Sequence, residues 1–180
     1  PAGSIFATVD AALETCEDSL LMSVTGATWR AIRALALQEC SVFQTCTEGE
    51  IRVLERDLQR RTFQPGETLI KAGESSDEMF VLLEGNVEVQ ILEEGGLRRR
   101  VDVLTAGMTA GEMAFLDGSP RSADVVAMDK VQCLVVTRTW FATLSDALPH
   151  LKIKLLQALL KEISARLRQA NVEISALQRA

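Results

Sequence analysis

Residues 107–123 read G-M-T-A-G-E-M-A-F-L-D-G-S-P-R-S-A, from Gly107 to Ala123. Glu112 follows a glycine directly, one short apolar turn comes next, and Gly118-Ser119-Pro120 leads into Arg121 with two small residues behind it. Apolar runs flank the stretch, with Val101, Val103 and Leu104 before it and Val125, Val126 and Ala127 after it. Arg121 is therefore expected at the wall or mouth of an apolar core, where a guanidinium needs an anion. Two readings of that anion are open. In one, Glu84 or Glu112 neutralises Arg121 in an internal ion pair. In the other, a bound phosphate does: Gly111 can adopt backbone angles closed to other residues and bring N–H groups toward a ligand. A short helix opening near Glu112 would point its unsatisfied N–H groups the same way, and Arg121 would close the cradle with a bidentate fork. Glu112 repels a bare phosphate, so the second reading asks for a ligand with hydroxyls as well as an anion. A sugar phosphate offers both.

Outward from this stretch the chain reads as strands between turns. Pro65-Gly66, Gly73, Gly85-Asn86, Gly95-Gly96 and Gly107 punctuate β-branched and apolar runs at 68–71, 79–83, 87–92, 99–104, 125–128 and 131–136. Short strands at near-even intervals predict an antiparallel sandwich or jelly roll, and the 107–123 stretch is where a helical turn interrupts it. A site is expected there. Before the strands, Thr47-Glu48-Gly49-Glu50 has the form of a capping box for a helix running to Arg56 or Leu58. Earlier still, apolar stripes predict a helix from Val9 to about Met22 and a second from Trp29 toward Ser41. After Thr137 a short helix at 138–145 precedes Pro149 and one long helix from Leu151 to about Gln178. Along it Leu156, Leu160, Ile163, Leu167, Ala170, Ile174 and Leu177 recur in steps of four and three, the spacing of a coiled-coil seam. The stripe either joins two copies or packs on the chain's own barrel, and Leu155 and Leu159, off the seam, are expected to cover the barrel.

Composition narrows the function. Of the 180 residues 47% are hydrophobic and 24% charged, and the net charge of -6 argues against a nucleic-acid surface. No apolar run is long enough to span a membrane and no signal-peptide pattern opens the chain, so a soluble, cytoplasmic chain is expected, either free or as the cytoplasmic part of a membrane protein. Arg98, Arg99 and Arg100 form a tight basic run on the expected return arm of a hairpin, either a solvated face or a partner contact. Cys16, Cys40, Cys46 and Cys133 have no C-x-x-C spacing and read as free thiols. The single histidine, His150, is too little for a Ser-His-Asp triad in a plausible place or for a multi-histidine metal barrel. No catalytic residue and no metal site is expected.

The 107–123 stretch resembles the phosphate-binding cassette of cyclic nucleotide-binding domains, the family of the catabolite activator protein and of kinase and channel regulatory domains. That family's pattern is G-E-x-A/G-L/F followed by R-S/T/A-A. The resemblance extends to Phe63-Gln64-Pro65-Gly66-Glu67, Gly73 to Asp77, Phe80 to Gly85 and Val87-Glu88-Val89, and so covers about Glu48 to Leu177. One departure is Ala110, where a bulkier residue is usual. The resemblance implies an α+β fold: an antiparallel β-roll (jelly roll) with flanking N-terminal helices, a short cassette helix and a long C-terminal helix. It implies that Arg121 holds a cyclic phosphate, that Glu112 accepts the ribose 2′-hydroxyl, and that Gly111, Met113, Ala114, Ser122 and Ala123 complete the ligand contacts. Asn171 is placed where the lid helix could reach the base. Ser122, where threonine often accompanies a cyclic GMP preference, favours cyclic AMP.

The opening I-F-A-T-V-D-A-A-L-E-T-C-E-D-S-L-L resembles the end of a STAS domain, a regulatory module found before cyclic nucleotide domains in some sulfate-permease-like (SulP) transporters and some glutaminases. The expected organisation is a helical segment and linker at 1–46, the β-roll at 47–147 and a lid or dimerisation helix at 148–180, excised from a longer polypeptide. The expected function is a non-catalytic, homodimeric regulatory domain that senses a cyclic nucleotide and reports through its C-terminal helix. The alternative is a ligand-free domain that serves only in assembly.

Overall fold

The computed structural model describes residues 34–93 and 96–177, all within one unit of the chain, Ala34–Ala180. The helix expected at 9–22 and the STAS-like opening lie outside the described residues. Within them, the helix expected to run toward Ser41 is replaced by two 3₁₀ turns, Leu37–Glu39 and Ser41–Phe43. Ala36 is extended at φ -68°, ψ 150°, and the Leu35 N–H donates to the Leu83 carbonyl at 2.8 Å. Backbone donors that go to the roll cannot propagate a helix.

Helix α1 spans Glu48–Asp57 and opens as the sequence predicts: Glu50 N–H donates to Thr47 Oγ1 while Thr47 N–H donates to the Glu50 carboxylate. Eight strands follow: β1 (Gln59–Phe63), β2 (Thr68–Ile70), β3 (Glu78–Glu84), β4 (Asn86–Leu92), β5 (Arg98–Thr105), β6 (Thr109–Ala110), β7 (Asp124–Ala127) and β8 (Val131–Thr137). The pairings are antiparallel and make two four-stranded sheets, β1-β8-β3-β6 and β2-β7-β4-β5. This is the expected β-roll. Helix α2 (Glu112–Asp117) interrupts it between β6 and β7, and α3 (Arg138–Ala147) and α4 (Pro149–Leu177) follow β8.

The unbroken apolar run of β3 is explained by burial on both faces, since alternate residues of a strand point to opposite sides. Met79, Val81 and Leu83 join a core with Phe43, Leu54, Phe141, Leu151, Leu155 and Leu159 on the helical side. Phe80 and Leu82 point the other way, into a core with Ile70, Val87, Leu104, Val125 and Val135 between the sheets. Strand β8 divides in the same manner, Leu134 and Val136 against Cys133 and Val135. Leu37, Val42 and Phe43 share the helical-side core, so the segment before α1 is built into the roll.

Helix α4 presents two different faces. Leu151, Leu155 and Leu159 are buried against the roll, as expected, while Leu156, Leu160, Leu167 and Ile174 of the seam are exposed. Among the described residues, then, these four seam positions do not pack on the roll. The basic run lies on β5, with Arg98 paired to Asp124 at 3.0 Å and Arg99 to Glu93 at 3.2 Å. Among the described residues no helix is long and apolar enough to cross a membrane.

Candidate ligand-binding site

The loop that carries Arg121 is pinned at its backbone before any side chain is considered. Arg121 N–H donates to the Glu74 carbonyl at 3.0 Å, and the Arg121 carbonyl accepts from Gly73 N–H at 2.8 Å. Asp124 adds a bond from Ala72 N–H at 2.8 Å. The loop between β2 and β3 thus fixes the arginine from outside the 107–123 stretch. From the other side, α2 is held by Phe115, whose ring meets Phe141 edge-on at 5.3 Å, and by Arg138, which donates to the Ala114 carbonyl at 2.8 Å.

Gly111 caps α2 with φ 80° and ψ 11°, a left-handed conformation that favours glycine. A second constraint acts on the same residue. A Cβ at this position would run into Arg121 Nη1 and Ile70 Cδ1. The glycine therefore serves both the turn and the arginine.

Arg121 is only 6% exposed. Its Nη1 donates to the Gly111 carbonyl at 2.8 Å and its Nη2 to the Glu78 carbonyl. Neither Glu84 nor Glu112 forms an ion pair with it, and no other carboxylate among the described residues does so. The carboxylate of Glu78 is committed to Arg61 through two bonds of 2.8 Å. Burial lowers the Arg121 pKa, opposed by the more distant charges of Glu78 and Glu112. The guanidinium is thus held by neutral carbonyls through two of its five N–H groups, and the internal ion pair left open by the sequence is absent among the described residues.

Glu112 is 4% exposed and meets a partner that sequence reasoning missed. Arg166 of α4 donates from Nη1 to Glu112 Oε1 at 2.9 Å and from Nη2 to the Thr109 carbonyl at 2.6 Å. One turn earlier on α4, Glu162 accepts from Thr109 Oγ1 at 2.6 Å and from Ser41 Oγ. Burial pushes the Glu112 pKa up, the Arg166 charge pulls it back, and Glu162 adds to the rise. A signal for these residues was present in the sequence. The barrel-facing positions of α4, Leu151, Leu155 and Leu159, continue in helical steps to Glu162 and Arg166, so the stripe turns from apolar to charged where it reaches the cassette.

Gly111, Glu112, Met113, Ala114, Arg121, Ser122 and Ala123 all line one cavity of about 620 Å³, within the range of small-molecule sites. Ile70, Val89, Val101, Asp102 and Leu104 supply its sheet wall, and Ala165, Arg166, Gln169 and Ala170 of α4 supply its lid. Asn171 is exposed and is absent from that wall; the α4 side chain with an amide on the cavity is Gln169. Two residues along a helix turn a side chain by about 200°, which carries Asn171 away from the face that bears Gln169. Among the described residues no group of three His, Cys, Asp or Glu side chains could hold a metal ion.

Fold and site together define a β-roll that keeps a buried cation, without an ion-pair partner among the described residues, on a lidded cavity, an arrangement for a small anionic ligand. Residues 60–147 match the family of the cyclic nucleotide-binding domain. The chain is 33% identical over 122 residues to the cAMP-dependent protein kinase regulatory subunit of Mycosarcoma maydis, covering 66% of this chain and 23% of that protein. It is 30% identical over 172 residues to Glutaminase 2 of Bradyrhizobium diazoefficiens, covering 96% of this chain and 27% of that one. Among solved structures, a cyclic nucleotide-binding domain from Methylobacillus flagellatus superposes with a TM-score of 0.71 at 27% identity, covering 81% of this chain and 82% of that one. Residues 60–147 thus match the cyclic nucleotide-binding family, and the fold is that of the catabolite activator protein and of a kinase regulatory subunit. The chain spans only 14%, 23% and 11% of the first curated relatives it matches, kinase proteins named for cyclic GMP as well as cyclic AMP.

Proposed function

We infer that this chain is a regulatory rather than catalytic module that binds a cyclic mononucleotide, with cyclic AMP favoured over cyclic GMP. The observation that carries the reading is the buried Arg121 guanidinium, bonded among the described residues to two neutral carbonyls and open to the cavity. In this assignment Arg121, Gly111, Ser122 and Ala123 hold the cyclic phosphate and Glu112 accepts the ribose 2′-hydroxyl. Met113 and Ala114 form the adjoining wall. The base lies toward Val89, Val101 and the α4 lid. Ser122 supports cyclic AMP through its place in the family pattern.

Ligand binding can shift α4 only by favouring one arrangement of it. The exposed seam on α4 supports self-association through this helix, in either a ligand-sensing domain or a ligand-free assembly module. The likeness to Glutaminase 2 over 172 residues favours a cytoplasmic glutaminase as the parent polypeptide, ahead of a SulP-type transporter.

Thermal unfolding with and without millimolar nucleotide tests the binding. Ligand at a hundredfold its Kd adds about 2.7 kcal/mol, which raises the midpoint by about 5–11 °C in a domain of this size. A midpoint unmoved by cyclic AMP and cyclic GMP refutes the sensing role and leaves the assembly module.

A further inference from the structure

The lid helix reaches the cassette through one polar cluster. Arg166 divides its fork between the Glu112 carboxylate and the Thr109 carbonyl, which stands just before Ala110 and Gly111 on β6. Glu162 takes the Thr109 hydroxyl and the Ser41 hydroxyl. Two successive turns of α4 are therefore tied to one residue of the cassette's entering strand. The contact is buried at its core, since Thr109 and Glu112 are among the few polar residues hidden in the fold.

We propose that Arg166 is the positioning residue for ribose recognition: it holds the Glu112 carboxylate aimed into the cavity, so that the ligand's 2′-hydroxyl is read only while α4 is docked. This rests on the cyclic nucleotide reading above and adds a division of labour to it. Arg121 belongs to the pinned β2–β3 side of the site and captures the anion whatever α4 does. The hydroxyl acceptor, by contrast, owes its charge and direction to a residue on the lid. Coupling of this kind is reciprocal: a docked helix strengthens hydroxyl binding, and a ligand with the hydroxyl strengthens docking. A nucleotide without it is captured by the phosphate and leaves α4 unbiased.

The charged groups around Glu112 make the consequence specific. Arg166 and Glu162 face it from α4, Arg121 acts on it from the loop before β7, and Asp102 stands on the same cavity wall from β5. Without Arg166, burial and Glu162 act against ionisation with Arg121 as the remaining nearby cation. Glu112 then gains its proton at higher pH and ceases to be a charged acceptor.

The test is isothermal titration of cyclic AMP and 2′-deoxy cyclic AMP into the parent protein, R166M and R166K between pH 5.5 and pH 8. The parent is expected to prefer the ribonucleotide by about tenfold or more. R166M is expected to hold the deoxynucleotide within about threefold of the parent while its ribo-to-deoxy preference falls to about twofold. Any preference left in R166M is expected to fade on acidification at a higher pH than in the parent, and R166K to restore part of it. R166K also guards against misfolding of R166M, as do the α4 anchors Leu151, Leu155 and Leu159, which both variants keep. An unchanged ribo-to-deoxy ratio in R166M across the pH range overturns the proposal. So does tighter cyclic AMP binding by R166M, which would make Arg166 a competitor of the ribose. A parent that binds both nucleotides equally also overturns it, whereas a parent that binds neither removes the functional reading beneath it.

Discussion

Replacing Arg121 by methionine separates the binding role of the guanidinium from its structural one. The structural side is read from its two bonds, to the carbonyls of Gly111 and Glu78. Leaving each carbonyl without its donor costs about 1–3 kcal/mol. Against this, methionine fills much of the same volume and relieves the desolvation of a buried cation, a gain of a few kcal/mol in comparable replacements. The two nearly offset, so R121M is expected to fold with a midpoint within about 10 °C of the parent. The ligand side does not offset. A phosphate held by two charged hydrogen bonds loses about 1.5–3 kcal/mol for each, which is about 10²- to 10⁴-fold in Kd. Isothermal titration with cyclic AMP measures this directly, and R121K, which keeps the charge without the fork, should fall between. A Kd for R121M within threefold of the parent, in a protein whose melt remains cooperative, would refute the argument.

Four further outcomes follow from the structure. Gly111→Ala forces a side chain into a left-handed turn at about 1–2 kcal/mol and pushes on Arg121 Nη1 and Ile70; cyclic AMP affinity should fall more than tenfold in titration, with the melt lowered by about 2–8 °C. On α4, Leu159→Ala should destabilise by about 2–5 kcal/mol in urea because Leu159 is fully buried. Leu160→Glu, at a residue 65% exposed, should leave the urea midpoint of the monomer almost unchanged but weaken self-association in sedimentation. Burial pushes the Cys40 thiol up to about 11 and the Cys133 thiol up to about 12. Alkylation of both at pH 8 should therefore run at least about a hundredfold slower in the native protein than in urea, as followed by peptide mass.

The legible parts of this molecule are those whose signals are local. The capping box at Thr47 and Glu50, the turn glycines and the apolar runs of β3 to β5, β7 and β8 all announce themselves within a few residues. Strand β6 is only two residues long and carries no periodicity, and β1, Q-R-R-T-F, is too polar to read as a strand by itself. The helix expected toward Ser41 failed for the opposite reason. Its apolar residues are real, but Leu37 enters a core made by the distant β3 and α4, and the backbone at Leu35 bonds to β3.

The sequence by itself determined that a buried cation and a buried carboxylate would share one glycine-marked turn, because hydrophobic alternation and turn chemistry act over a few residues. The seven cassette residues it singled out do stand around a single cavity. Only the tertiary structure decided how those charges are answered. Arg121 could have been neutralised by Glu84 or Glu112, and which carboxylate comes within reach depends on strand register and on where α4 crosses the roll. The fold instead gives Glu112 to Arg166, 54 positions along the chain, and leaves Arg121 with carbonyls. Ion pairing falls off over a few ångströms and takes no account of sequence distance, so it is settled when the elements pack.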